Sequence, residues 1–269
     1  MHQSKGTALN PLMEDLMPVS SPKFGGALLL AVFVLVSRPA AAQQYNSDNY
    51  LSKPHGMATI ILTAGERNSM FMNTFSLLPR WEFTAAAYLF YADGNPLTGE
   101  GYSTSFYAKY MILENAAKTG GLAVKGGTGL DPGYVNNSVP LEDAFRTYWT
   151  NAPVTLPLFD NKLSWDIMPG ASVTRKYGLK QEVDLAFTYA TRLAWYPTDP
   201  EWAIVGEVYG AEGDARAIPE YRIGLRWEPN QHAVFALTYD DEFEGDRGAG
   251  VEFGIMLFTP AFACIGGCD

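Results

Sequence analysis

Val183-Asp184-Leu185-Ala186-Phe187-Thr188-Tyr189-Ala190-Thr191-Arg192-Leu193-Ala194-Trp195 alternates between apolar and small or polar side chains along most of its length. Successive side chains of a β-strand point to opposite faces. Val183, Leu185, Phe187, Tyr189, Leu193 and Trp195 therefore share one face, and Glu182, Asp184, Thr188 and Arg192 share the other. The stretch at 220–228 repeats the arrangement, with Tyr221, Ile223, Leu225 and Trp227 opposed to Glu220, Arg222, Arg226 and Glu228. A third copy sets Val251, Phe253, Ile255 and Leu257 against Glu252, Gly254 and Met256. In a soluble sandwich one of these faces would be a dry core or a greasy surface, and an unpaired buried ion is costly. In a closed cylinder the charged face lines a wet interior and the apolar face meets lipid.

Working outward from these stretches, the same unit recurs from Met57 to Thr259, each run closed by a Gly-, Pro-, Asn- or Asp-rich turn. The pattern predicts an all-β fold, a transmembrane antiparallel up-and-down β-barrel of the bacterial outer membrane. About twelve strands are expected, near 57–64, 69–77, 81–91, 103–113, 120–126, 144–156, 163–175, 181–195, 202–209, 220–228, 232–240 and 249–259. The run at 120–126 is short and Gly-rich, and a loop there would leave ten strands. Pro153 and Pro157 interrupt the sixth run, so its membrane part is expected to stop near Asn151 or to carry a bulge.

The connections support the same plan. Leu78-Pro79-Arg80, Asp160-Asn161-Lys162, Tyr196 to Glu201 and Pro229-Asn230-Gln231 are tight. Ala92 to Tyr102, Gly127 to Asp143 and Gly210 to Pro219 are longer and more polar. Short periplasmic turns and long outer loops, with both termini periplasmic, are the habit of outer-membrane barrels. Gly65–Asn68 and Arg175–Lys180 are short exceptions.

Ahead of the repeats, Ala27 to Val36 is an apolar run of about ten residues, too short to span a bilayer. Lys23 precedes it and Ala40-Ala41-Ala42 follows, so residues 1–42 read as a signal peptide cleaved before Gln43, with Met17 an alternative start. The expected organisation is then a periplasmic N-terminal segment at 43–56, one barrel domain at 57–259 without a plug, and a tail at 260–269. The 15 Tyr, 15 Phe and 6 Trp suit aromatic girdles at two membrane interfaces. A net charge of −10 argues against a nucleic-acid partner. Cys264 and Cys268 are the only cysteines, and their spacing suits a small disulfide loop in an oxidising compartment. A P-loop, a GxGxxG followed by a helix and an HExxH motif are all absent, and neither cofactor nor metal is expected.

Two stretches carry resemblances. Val251-Glu252-Phe253-Gly254-Ile255-Met256-Leu257-Phe258 resembles the C-terminal signal that outer-membrane barrels present to their assembly machinery. Phe75-Ser76-Leu77-Leu78-Pro79-Arg80-Trp81-Glu82 resembles a strand–Pro–Trp–strand hairpin of barrels linked to exopolysaccharide export. These imply the barrel assembly machinery, outer-membrane lipid and lipopolysaccharide as partners.

The charges assigned to the lumen are Glu82, Lys109, Arg146, Asp166, Glu182, Asp184, Arg192, Glu207, Glu220, Arg222, Arg226, Glu228 and Glu252. They fit a porin-like channel whose transverse charges orient a small polar solute. The alternative is a narrow barrel filled by paired side chains, non-conducting, that anchors a surface-polymer or protein assembly. Arg192, Arg222 and Arg226 are candidates for a basic ladder, with neutralising acid partners the favoured alternative. Catalysis is not expected: His2 leaves with the leader, and His55 and His232 fall at the periplasmic rim with no serine beside them in sequence. Asp240-Asp241-Glu242-Phe243-Glu244-Gly245-Asp246 is expected as a solvated outer loop.

Overall fold

A computed structural model describes Tyr45, residues 47–52, 54–91, 101–134, 144–176, 182–198, 200–244, 250–263 and Ile265. Residues 1–42, expected to be a leader, and the expected disulfide pair Cys264 and Cys268 lie outside these residues. The strands are β1 (Ala58–Gly65), β2 (Asn68–Leu78), β3 (Trp81–Phe90), β4 (Gly101–Glu114), β5 (Gly121–Gly129), β6 (Thr147–Asn151), β7 (Val154–Leu158), β8 (Leu163–Arg175), β9 (Val183–Trp195), β10 (Trp202–Gly213), β11 (Ala217–Asn230), β12 (Ala233–Glu242) and β13 (Gly250–Phe258). Each pairs antiparallel with the next, except that β6 and β7 both pair with β5 and β8, and β1 pairs with β13, which closes the cylinder.

β6 and β7 are two halves of one stave, so thirteen strands make a barrel of twelve staves. The break falls at Ala152-Pro153, where proline has no N–H for a ladder. The neighbours bridge it: the Ala123 N–H donates to the Pro153 carbonyl and the Ala152 N–H to the Pro169 carbonyl, both at 2.9 Å. β8 then pairs with both halves.

The Gly-rich fifth strand is present and runs to Gly129, so the count does not fall to ten. Its glycines are a condition of the pairing. A Cβ on Gly127 would lie 2.3 Å from the Phe106 carbonyl oxygen, and one on Gly129 would lie 1.9 Å from that of Thr104. Gly129 also has φ +89°, a left-handed conformation that alanine adopts at a cost of about 1–2 kcal/mol before any clash is counted. Gly129→Ala is therefore expected to lower the denaturant midpoint of the folded barrel. Gly206→Ala, whose Cβ would meet nothing within 4 Å, is expected to leave it unchanged.

Outside, the surface is apolar. Leu185, Phe187 and Leu193 of β9, Ile223 and Leu225 of β11, and Val251, Phe253 and Leu257 of β13 are exposed. Burying such a surface against hydrocarbon is favourable, whereas water would leave a large contiguous apolar patch. Aromatic rings gather at both ends. Trp81, Trp165, Trp195, Trp202 and Trp227 lie beside the tight turns at the rim where β1 starts and β13 ends, called here the terminal rim. Trp202 stacks on Trp227 at 5.5 Å between ring centroids, and Trp227 on Phe235 at 5.4 Å. At the opposite rim Tyr221 packs on Phe243 at 5.1 Å.

Two expected loops are corrected. Gly210–Pro219 is mostly strand, because β10 and β11 continue as a hairpin to a turn at 214–216. Asp240, Asp241 and Glu242 belong to β12, and Asp240 and Glu242 are buried.

Candidate functional site

Strand register places charges of alternating sign directly opposite one another across the inner wall. Asp166 on β8 faces Arg192 on β9, Arg192 faces Glu207 on β10, Glu207 faces Arg222 on β11, and Arg222 faces Asp240 on β12. Five neighbouring staves thus contribute one charge each to a transverse belt. Asp166 Oδ2 accepts from both Nε (2.9 Å) and Nη2 (2.6 Å) of Arg192, and its Oδ1 accepts from the Thr155 hydroxyl at 2.6 Å. Arg222 pairs with Glu252 at 3.4 Å, Arg226 with Glu228 at 2.9 Å, and Arg67 with Asp240 at 3.3 Å.

A second row lies on β3, β4 and β5, where Glu82 faces Lys109 and Lys109 faces Lys125. Like charges directly opposite destabilise a sheet unless an anion lies between them. Glu82 holds Lys109 at 2.7 Å. Lys125 is fully buried between the rings of Tyr107 and Trp149, 5.6 and 5.8 Å from their centroids.

The anion that joins these lysines comes from the N-terminal segment. Expected on the periplasmic side, Tyr45 and Ser47–Ser52 instead lie inside the barrel and are almost wholly buried. Lys109 Nζ donates to both carboxylate oxygens of Asp48 at 3.3 and 3.4 Å and to the Leu51 carbonyl at 2.8 Å. Lys125 Nζ lies 3.7 Å from the same carboxylate. Across the lumen, the Ser47 N–H donates to Glu207, and the Arg192 guanidinium lies 5.7 Å from the Tyr45 ring centroid. Tyr45 itself packs on Ala194, Ala203, Val205 and Ala236, whose short side chains make room for its ring. This strap ties to the walls through side chains and makes no β-ladder with any strand.

Burial alone would raise the Asp48 pKa, but Lys109 and Lys125 outweigh it and hold the carboxyl below its ordinary value. A carboxyl so depressed stabilises the docked strap above the ordinary carboxylate range. That stabilisation is lost only as pH falls through the lowered value. Burial pushes the Tyr45 phenol up to about 12, so it stays neutral.

A cavity of about 410 Å³ opens at the terminal rim and reaches the belt. Tyr50, Lys118, Lys162, Asp166, Arg192 and Arg226 line it. The interior is not charged all round. Ile61, Met72, Tyr88, Val234 and Met256 form an apolar cluster against the strands near the β1–β13 seam.

No family model matches the sequence, and no curated protein matches it. Among solved structures, the chain is similar to a KdgM porin in complex with disordered oligogalacturonate, with 9% identity and a TM-score of 0.53 over 75% of this chain and 98% of that one. It is similar also to an outer membrane channel from Pseudomonas putida F1, with 11% identity and a TM-score of 0.51 over 78% and 98%. What the chain shares with them is the fold, a closed antiparallel β-barrel.

Within that fold, Glu82, Lys109, Asp166, Arg192, Glu207, Glu220, Arg222, Arg226, Glu228 and Glu252 are buried in the interior. Arg146, Glu182 and Asp184 are not part of this group. Arg146 lies in the turn before β6 and donates to the Arg175 carbonyl at 2.6 Å, Glu182 is exposed ahead of β9, and Asp184 pairs with the half-exposed Lys176 at 2.7 Å. All three sit at strand ends, where the alternation no longer separates lipid from lumen. Arg192, Arg222 and Arg226 each have a carboxylate partner, so they do not form a bare ladder. His55 and His232 lie in segments at the terminal rim, where His55 Nε2 is 2.9 Å from the Leu77 carbonyl oxygen.

The sequence reading missed Asp48, Arg67, Lys125 and Asp240. Lys125 had a usable signal, since Ala123 and Lys125 alternate with Leu122 and Val124. Asp240 continues the inward series Val234, Ala236, Thr238.

Proposed function

We propose that the protein is an outer-membrane channel for small polar solutes, constricted at the charge belt. The carrying observation is the in-register row Asp166–Arg192–Glu207–Arg222–Asp240 inside a cylinder with an apolar outer face. Paired charges of both signs across a narrow bore orient a polar solute without trapping ions of one sign, which suits weak selectivity. The porin fold agrees with this reading, and the KdgM porin was solved with an oligogalacturonate. The outer surface would lie in outer-membrane lipid and lipopolysaccharide, and the final strand would be the element shown to the assembly machinery. No catalytic role is proposed.

The test is single-channel recording in planar bilayers. Discrete conductance steps are expected, and Glu207→Gln is expected to shift the reversal potential towards anions by removing one negative charge from the belt. The second reading is a non-conducting barrel that anchors a surface-polymer or protein assembly. The strap and the Ile61–Met72–Val234–Met256 cluster favour it, because both fill the interior. A barrel that inserts and stays silent would decide for the anchor.

A further inference from the structure

Among the described residues, Asp48 is the strap side chain that lies against two cations of the wall at once, Lys109 and Lys125. Lys109 also has Glu82 on its own wall, at 2.7 Å. Lys125 is different. Its ammonium is fully buried, makes no hydrogen bond among the described residues, and has the Asp48 carboxylate at 3.7 Å as its paired anion. The rings of Tyr107 and Trp149 flank it, 5.2 Å apart and tilted by 58° to each other. They fix the lysine's direction and partly offset its charge through their faces. A buried ammonium with no acceptor of its own is costly, so this position calls for a negative group.

The group supplied does not belong to any strand of the wall. It rides on a segment that makes no β-ladder among the described residues, held by Asp48 on the lysines, the Leu51 carbonyl on Lys109, Ser47 on Glu207, Tyr50 on Thr155 at 3.2 Å and against Met111 and Ala123, and the Tyr45 ring by Arg192 and its alanine-lined pocket. The cavity from the terminal rim runs alongside Asn49 and Tyr50, so solvent reaches the strap from one end.

We propose that Lys109 and Lys125 form a carboxylate-binding site in the lumen, and that Asp48 fills it as an internal surrogate for a carboxylate-bearing solute. Withdrawal of the strap bares the site, and a solute carboxylate takes the place of Asp48 between the two ammonium groups. Asp131, buried just past β5, also acts on Lys125, so without Asp48 the two lysines keep Glu82 and Asp131 near them, but of the described acids only Asp48 contacts both ammonium groups. As a step in passage this rests on the channel reading above. As a binding site it stands without it.

Two measurements test the site on the mature protein in detergent micelles, with altered gel mobility before boiling as the check on folding. In the first, gluconate is titrated calorimetrically against wild type and a variant lacking residues 45–52, with sorbitol as the uncharged polyol of the same length. The deletion variant is expected to bind gluconate at least tenfold more tightly than wild type and sorbitol not at all. Adding Lys125→Met should remove about a tenfold share of that affinity, the size of one hydrogen bond to a charged group. In the second, which does not need the deletion to fold, acetate is added to Asp48→Ala. Acetate is the aspartate side chain without its backbone, and it should raise the unfolding temperature of D48A above that in chloride at equal ionic strength, while leaving wild type unmoved. Equal binding by wild type and deletion variant, equal binding of sorbitol, or no acetate effect on D48A overturns the proposal. Neither measurement reads conductance, so a barrel silent in bilayers sinks the channel reading and not this one.

Discussion

Asp166→Ala is expected to destabilise the folded barrel by about 3–5 kcal/mol, the range for removing one partner of a buried ion pair. Asp166 is 1% exposed, and its carboxylate is satisfied on both oxygens by Arg192 and Thr155. Truncation leaves the guanidinium of Arg192 enclosed with fewer acceptors and strands the Thr155 hydroxyl as well. The comparison that isolates burial is Asp184→Ala. Its bond to Lys176 is 2.7 Å long against 2.6 Å for Asp166–Arg192, so the two pairs are nearly equal in length. Lys176 is half exposed, however, and solvent screens that pair. Urea unfolding in phospholipid vesicles, followed by tryptophan fluorescence, should show a large loss for Asp166→Ala and a change within error for Asp184→Ala. Similar losses would mean that the interior is wet enough to screen the belt.

Leu225→Arg carries the second large effect, on the opposite face. Leu225 lies between Ile204 of β10 and Leu237 of β12, and all three are about half exposed. In a water-soluble protein an arginine there would be harmless or helpful. On a lipid face near the bilayer midplane it costs about 2–4 kcal/mol, falling towards zero at the interfaces. The same substitution at Trp227, two residues nearer the girdle, should therefore cost less for charge alone. A neutral Leu225→Arg in vesicles would remove hydrocarbon from the account of the outer surface. The neighbouring Arg226 shows the same rule from inside: one residue along the strand, the same side chain is buried and paired with Glu228.

The barrel was legible because its signal is local. At 163–175 the expected strand coincides with β8, and at 183–195 the alternation alone separates both faces of β9. Signals failed where the chain leaves hydrocarbon. β10 and β11 continue past the membrane zone, and there a strand no longer needs an apolar face, so Gly210–Pro219 has the composition of a loop. β5 was weakly legible because close approach to β4 demanded glycine in place of the usual branched side chains. The candidate site divides in the same way. Residues of the belt announce themselves by parity, since any charge opposed to a greasy face must point inward. The strap does not. Nothing periodic marks 45–52, and the fit of Asp48 to Lys109 and Lys125 depends on positions 61 and 77 residues away along the chain, set side by side only by the register of β4 and β5.

The path of the strap would set an order on biogenesis. Tyr45 is enclosed within the finished cylinder, and it is the third residue after the peptide bond at which a leader is expected to be released. Were a leader removed at that bond, the cut would have to come before β1 and β13 zip together, because a peptidase cannot work on a bond that close to an enclosed side chain. For the same reason a purification tag fused at the new amino end would have to be threaded into the bore or would keep the strap out of it. Handles for this protein belong in an external loop.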